Sequence, residues 1–336
     1  LAANGQPCQR AITAALLEHA DRPLLLGAFS AASNVTGIKT DVRALARLLH
    51  RHHGLCVVDY AAGAPYLDID MGPSAPGADD HLDAIVLSPH KFVGGPGASG
   101  LLVADRALCR IDRPSAPGGG TVRFVTPDSH AYLADIEARE EAGTPAIIGD
   151  IRAGLVLQLK ADIGMAAIDA AETAAVTRTL AFFAYQPELH LLGSTQADRL
   201  AIFSFNVSVG GQMLHHGLVV AMLNDLFGIQ ARGGCSCAGP YGHDLLGINS
   251  VVSGRYRDLV DEGLDLMKPG WVRVGFPPVM AAEDIDYVLA ALALLARRGL
   301  DLMGLYQADA QTGHWRLKNS KAAGIATLDE LCLWRT

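Results

Sequence analysis

A lysine sits on a glycine-rich stretch just beyond a short apolar run, in Ser88-Pro89-His90-Lys91-Phe92-Val93-Gly94-Gly95-Pro96-Gly97. In open α/β sheets, ligands gather outside the carboxyl ends of the strands. A lysine there can form a Schiff base with a carbonyl cofactor, provided its surroundings let it lose a proton. Ser88 and His90 could hydrogen-bond a phosphate beside it, although a surface lysine in a turn has the same local pattern. One apolar run earlier, Leu55–Tyr60 carries Asp59 near its end. Opposite a pyridine nitrogen, that carboxylate would keep the nitrogen protonated and make the ring an electron sink; a turn cap is the alternative. A third loop, Ser33-Asn34-Val35-Thr36-Gly37, offers amide and hydroxyl groups to a cofactor oxygen, or simply caps the next helix.

These loops need a frame. Pro23–Ser30, Leu55–Tyr60, Ala84–Leu87 and Gly100–Ala104 read as strands, the first two as strands buried on both faces. Helices are expected at Gln9–His19 and Asp41–His52, so strand and helix alternate as in a parallel sheet covered by helices. Gly149–Ala181 predicts one long helix or two. Beyond it, Leu200–Ser208 alternates as a strand, Gly217–Leu226 reads as a helix and Val272–Gly275 as a short strand. Ala282–Arg297 is an amphipathic helix. Gly72–Asp80 and Pro114–Gly120 are loops by their Pro, Gly and Ser content. The three chemistry-bearing loops thus follow three strands in order. The division expected is a first domain over 1–165 and a second, with a linking helix, over 166–336.

The bulk properties narrow the function. The chain has 336 residues, 50% hydrophobic and 18% charged, which allows a large core and argues against disorder. A net charge of −8 disfavours a nucleic-acid groove, though not a small anion held by local donors. Apolar runs such as Ala290–Ala296 fall far short of the roughly 20 residues a spanning helix needs, so no membrane partner is expected. No basic region followed by an apolar stretch opens the chain. Six scattered cysteines suit a reducing compartment, and a cytoplasmic location is expected. Cys235-x-Cys237, with His215, His216 and His243 nearby, invites a metal reading. One intervening residue departs from the usual zinc spacing and there is no second pair, so no metal is expected there; a redox pair, or a structural role as small buried residues, stays open. His50, His52 and His53, at the end of an amphipathic helix, are read as a solvated last turn.

Taken in order, SNVTG, VDYAAG and LSPHKFVGGPGASGLLVA resemble the class V aminotransferase family. Further matches are Ala142-Gly143-Thr144-Pro145 ahead of a helix, Arg232-Gly233-Gly234-Cys235-Ser236-Cys237-Ala238-Gly239-Pro240, and Trp271-Val272-Arg273-Val274. The pattern is most similar to the cysteine desulfurase and selenocysteine lyase branch and covers roughly Leu24 to Leu295. The resemblance implies an α/β, fold-type I PLP-dependent transferase: a large domain with a mostly parallel sheet, incomplete at its N-terminal side, and a small α+β C-terminal domain. It implies pyridoxal 5'-phosphate as cofactor. Lys91 would hold it and shuttle protons at the substrate Cα, Asp59 would pair with the pyridinium nitrogen, and Asn34 would contact the phenolic oxygen. Ser88 and His90 would bind the phosphate, as would Thr144 across a homodimer interface. Arg273 would grip the carboxylate of a small amino-acid substrate, with Arg232 as a second candidate. Cys237 would receive sulfur or selenium and pass it to an acceptor protein.

Two departures bear on that expectation. Ala62 stands where the family usually has a Gln three residues after the pyridinium Asp. The family's phosphate-cradling Gly/Thr loop and ring-stacking His lie upstream of the matching region, as do the strands around that loop. The resemblance therefore implies either a longer natural protein or a shortened form with an exposed apolar surface. The stretch from Tyr241 to Gly270 is longer than its counterpart in typical desulfurases and would sit near the substrate entrance. Alternatives to desulfuration are transamination, epimerisation or Cα–Cβ cleavage without Cys237, or a non-catalytic relative.

Overall fold

The computed structural model describes residues 1–2, 4–235 and 238–318. The chain divides into two compact units. The first holds Gln6–Ser33 and Lys39–Asp169; the second holds Asn34–Ile38 and the chain from Ala170 onward.

The first unit opens with α1 (Gln9–Glu18), β1 (Leu26–Ser30), α2 (Val42–His50), β2 (Leu55–Asp59), β3 (Ala84–Leu87) and β4 (Leu101–Ala104). The strands lie in the order β1-β2-β3-β4, the first three parallel and β4 antiparallel to β3. Helix α2 starts because the Asp41 carboxylate accepts the Ala44 amide at 2.9 Å, satisfying one of the donors a helix start leaves bare. It buries Ala46, Leu48 and Leu49 beside Cys56 and Val58 of β2 and Ile85 of β3. Burial of that apolar stripe is what holds the helix to the sheet. A hairpin of β5 (Val122–Val125) and β6 (His130–Tyr132) follows, then α3 (Ile136–Glu140) and α4 (Ile147–Ile163).

One sequence expectation is corrected here. β1 and β2 are not buried on both faces. The cross-strand row Ser30, Asp59, Val86 and Leu102 faces outward, and Leu26 and Leu102 are 52% and 69% exposed. The apolar content of these strands made them look two-sided, but among the described residues helices cover only the face carrying Cys56, Val58 and Ile85.

The long helical stretch is two helices. It breaks at Gly164, whose φ of 83° suits glycine, and α5 (Met165–Ala184) then runs on into the second unit. That unit contains β7 (Leu189–Leu191), β8 (Ile202–Val209), β9 (Gln212–Leu214), α6 (His216–Phe227), β10 (Arg232–Gly234), α7 (Gly239–Leu246), α8 (Ser250–Asp261), β11 (Trp271–Gly275), α9 (Ala282–Met303), β12 (Tyr306–Ala308) and β13 (Trp315–Leu317). Its main sheet is antiparallel, ordered β10-β11-β8-β7, with β9 also on β8. Helices α6 and α9 pack on it. Ile285, Leu289, Leu292 and Leu295 recur at helical spacing and meet Phe203, Phe205 and Met222 in one core.

Candidate functional site

Asp59 ends β2 in register with Ser30 of β1 and Val86 of β3. The parallel pairing continues one step, with the Tyr60 amide donating to the Val86 carbonyl at 2.9 Å. Two residues beyond Val86, Ser88 begins a single tight turn over Pro89–Lys91, closed by the Lys91 amide on the Ser88 carbonyl at 2.9 Å. Adjacent parallel strands therefore deliver Asp59 and the Ser88–Lys91 turn to the same edge of the sheet. Asp59, His90 and Lys91 are exposed and Ser88 is half-buried. The Asp59 carboxylate also accepts the Ala61 amide at 2.6 Å, so the turn-cap role and an outward-facing charge coexist.

The loop after Lys91 is held closely. Its backbone doubles back so that a Cβ on Gly95 would lie 2.1 Å from the Pro89 carbonyl oxygen, a position only glycine can fill. Helix α4 pins the far side. Arg152 donates to the Pro96 carbonyl, and the Ser99 amide donates to the Gly149 carbonyl at 3.1 Å. Sequence reading singled out neither Arg152 nor Gly149; both partners are backbone carbonyls or amides, which leave no trace in residue type. Thr144 lies exposed just ahead of α4. Lys160 of α4 is no rival to Lys91, because its ammonium donates to the carbonyls of Ala64 and Leu67 at 2.7 and 2.5 Å. A carboxylate, an exposed amine, a hydroxyl and an imidazole at one sheet edge, beside a loop closed by glycine, form a donor set that fits pyridoxal 5'-phosphate.

In the second unit, Ser204, Arg273 and Arg232 form a row across β8, β11 and β10. The loop 34–38 docks against this sheet. Arg273 Nη1 donates to the Asn34 carbonyl at 2.9 Å, and Ser204 Oγ donates to the Val35 carbonyl at 2.6 Å. Arg199 donates to the Thr36 and Ile202 carbonyls, and the Thr36 hydroxyl meets the Tyr241 hydroxyl at 3.2 Å. The structure thus brings Asn34, Arg273 and Arg232 into one neighbourhood. Asp59, Ser88, His90 and Lys91 form another, in the first unit.

A cavity of about 710 Å³ opens in the second unit, lined by Arg232, Cys235, His216, His243, Tyr256 and Lys268 among others. The histidines read as metal candidates have other duties. His215 Nδ1 accepts from the Gly217 amide and the Trp315 indole, each at 3.0 Å, so Nε2 carries the proton and donates to the Leu266 carbonyl. His243 bonds the Gly239 carbonyl at 2.8 Å and the Ser253 hydroxyl at 2.9 Å. Burial and the neighbouring His215 push the His216 imidazole down to about 4, so it is neutral near pH 7. Cys237 lies outside the described residues.

The chain is similar to several known proteins. A cysteine desulfurase of Dickeya dadantii is 30% identical over 226 residues, covering 67% of this chain and 51% of its own. One of Escherichia coli is 29% identical over 220 residues, covering 66% and 51%. The apo structure of a cysteine desulfurase from Thermococcus onnurineus superposes with a TM-score of 0.70 at 25% identity, covering 87% of this chain and 64% of that one. The chain therefore spans about half the length of the curated relatives it matches. Its architecture is that of the fold-type I PLP-dependent enzymes, with a mostly parallel sheet in the first unit. The family model described as Aminotransferase class-V matches residues 7–288, taking in both units, and the chain belongs to that family.

Proposed function

We propose that this chain acts in pyridoxal 5'-phosphate-dependent abstraction of sulfur or selenium from a cysteine-like amino acid. The observation that carries the reading is the delivery of Asp59 and the Ser88–Lys91 turn to one edge of a parallel sheet, in a chain whose relatives bear the name cysteine desulfurase. When bound, the cofactor supplies an electron sink for the charge left at the substrate Cα. Lys91 would hold it and move a proton at that carbon. Asp59 would keep the ring nitrogen protonated, Asn34 would face the phenolic oxygen, and Ser88, His90 and Thr144 would bind phosphate. Arg273, with Arg232, would take the substrate carboxylate, a task for which the planar guanidinium fork is suited. Cys237 would accept the sulfur and hand it to an acceptor protein.

A homodimer and a cytoplasmic location belong to the same proposal. Exposed Ile148, Ile151 and Leu155 on α4 support the first. The free thiols of Cys8, Cys56, Cys109 and Cys235 support the second. No helix among the described residues is long and apolar enough to cross a membrane.

The test is the near-visible spectrum of the purified protein with added pyridoxal 5'-phosphate, beside Lys91→Ala. A borohydride-sensitive band in the parent, absent from the variant, is expected. No band in either would overturn the reading. Cysteine is then supplied as substrate. Sulfide release that Cys237→Ala abolishes supports desulfuration; turnover that survives it supports transamination, epimerisation or Cα–Cβ cleavage.

A further inference from the structure

At the opposite edge of the first unit's sheet, where β2 and β3 begin, two histidines and two aspartates meet. His50 is the last residue of α2; Asp79, His81 and Asp83 lie just ahead of β3. The imidazoles of His50 and His81 stack with centroids 4.3 Å apart and planes inclined by 28°. The sequence expectation of a solvated turn fails at His50, whose side chain is only 7% exposed.

Each ring is flanked by carboxylates on both edges. On the Nδ1 edge, Asp79 Oδ1 lies 3.0 Å from His50 and 3.9 Å from His81, and the Asp79 carbonyl is 3.1 Å from His50 Nδ1. On the Nε2 edge the buried Asp83 turns one oxygen to each ring, Oδ2 at 3.0 Å from His50 and Oδ1 at 3.6 Å from His81. Asp83 is itself fixed to β2, since its Oδ2 accepts the Cys56 amide at 2.7 Å.

Carboxylates and carbonyls only accept hydrogen bonds when ionised or amide-linked, and a neutral imidazole has a single N–H. With that proton given to Asp79, His50 Nε2 presents a lone pair to the Asp83 oxygens. A second proton on His50 would fill that gap, and against the pull of burial the bonds to Asp83 and Asp79 raise its pKa above the ordinary imidazole value; a divalent cation is the other occupant. Two stacked imidazolium rings would repel each other. One divalent cation on the Nε2 edge would satisfy both rings and the Asp83 carboxylate together.

We infer that His50 Nε2, His81 Nε2 and the Asp83 carboxylate form a binding site for a divalent transition metal of the zinc class, with Asp79 orienting both rings from behind. Two imidazoles and a carboxylate are a borderline-soft set that suits zinc, whereas calcium and magnesium prefer oxygen alone. A carboxylate on the far nitrogen is the usual partner of a metal-bound histidine. One candidate ligand atom from each residue lies within 4.8 Å of the others. Closing to metal–ligand distances of about 2.1 Å asks for movements of about 1 Å. His81, with a side chain 42% exposed, is placed to make them. The fourth position is left to water. Such an ion would staple the end of α2 to the start of β3, away from Asp59 and Lys91.

The experiment is titration of the purified chain with Zn²⁺ by calorimetry, paired with thermal melts with and without Zn²⁺. The parent and a Cys235→Ser/Cys237→Ser variant, which lacks the neighbouring thiol pair, are expected to bind one ion each and melt higher with it. His81→Ala, made in that same double-serine background, should lose binding and the zinc-dependent shift while keeping its own fold. Asp79→Asn in that background, at a side chain 66% exposed, should weaken binding about tenfold. Absence of zinc binding in the Cys235→Ser/Cys237→Ser variant, or equal binding by His81→Ala, would overturn the inference. So would a cluster that responds to pH alone.

Discussion

Gly95 shows how narrow the tolerance is around Lys91. Its absent Cβ lets the loop close on the Pro89 carbonyl, and even a methyl group would fall 2.1 Å from that oxygen. Gly95→Ala is therefore expected to force the Ser88–Gly97 loop outward. The melt should fall by about 2 kcal/mol or more, the scale of local backbone strain, and cofactor retention in gel filtration should drop with it. Val93→Ala, at a side chain 45% exposed in the same loop, should change neither. A Gly95→Ala protein that keeps both properties would show that the loop does not need this close approach.

At the scale of elements, the loop 34–38 depends on side chains far along the chain. Arg199, 3% exposed, donates to the carbonyls of Thr36 and Ile202 while its guanidinium lies 4.8 Å over the Phe203 ring. Arg199→Ala would leave those carbonyls short of a donor and open a hole in a packed region. A loss of about 3 kcal/mol in urea unfolding is expected, against about 1 kcal/mol for Ser204→Ala, which gives up one neutral hydrogen bond. Equal, small losses would mean that the loop is held by packing alone. Here lies the boundary of what the residues disclose. Strand ends bearing Asp59 and Ser88–Lys91 were legible because an apolar run, a turn signal and a reactive side chain stand together within ten residues. The ends of β3 were read to the residue. The anchoring of Asn34 was not legible, since the acceptors are backbone carbonyls. Nor was the His50 cluster, whose partners lie some thirty positions away and declare themselves only as Asp79-Asp80-His81-Leu82-Asp83. Helices α7 and α8 escaped notice because their glycines and polar residues mask the helical period.

Among the described residues, large apolar side chains stand exposed in two patches. The row Val86 and Leu102 with Leu26 on the sheet is one patch, and Ile148, Ile151 and Leu155 on α4, 69%, 56% and 64% exposed, form a stripe at helical spacing. The chain is expected to self-associate with rising concentration in light scattering. Ile151→Glu with Leu155→Glu should shift it toward the monomer with an unchanged circular dichroism spectrum. A parent that stays monomeric throughout would show that the stripe drives no association.

The docking of residues 34–38 into the second unit also sets an order of events during synthesis. The donors of Arg199, Ser204 and Arg273 lie 163, 169 and 239 positions downstream of their acceptors. At roughly 5–20 residues per second, the Asn34 carbonyl waits on the order of 10–50 s for Arg273 to be made. Through that interval residues 34–38 lack the hydrogen bond from Arg273. Nascent chains halted before β11 should therefore be cut by protease within residues 34–38, and chains released after it should resist.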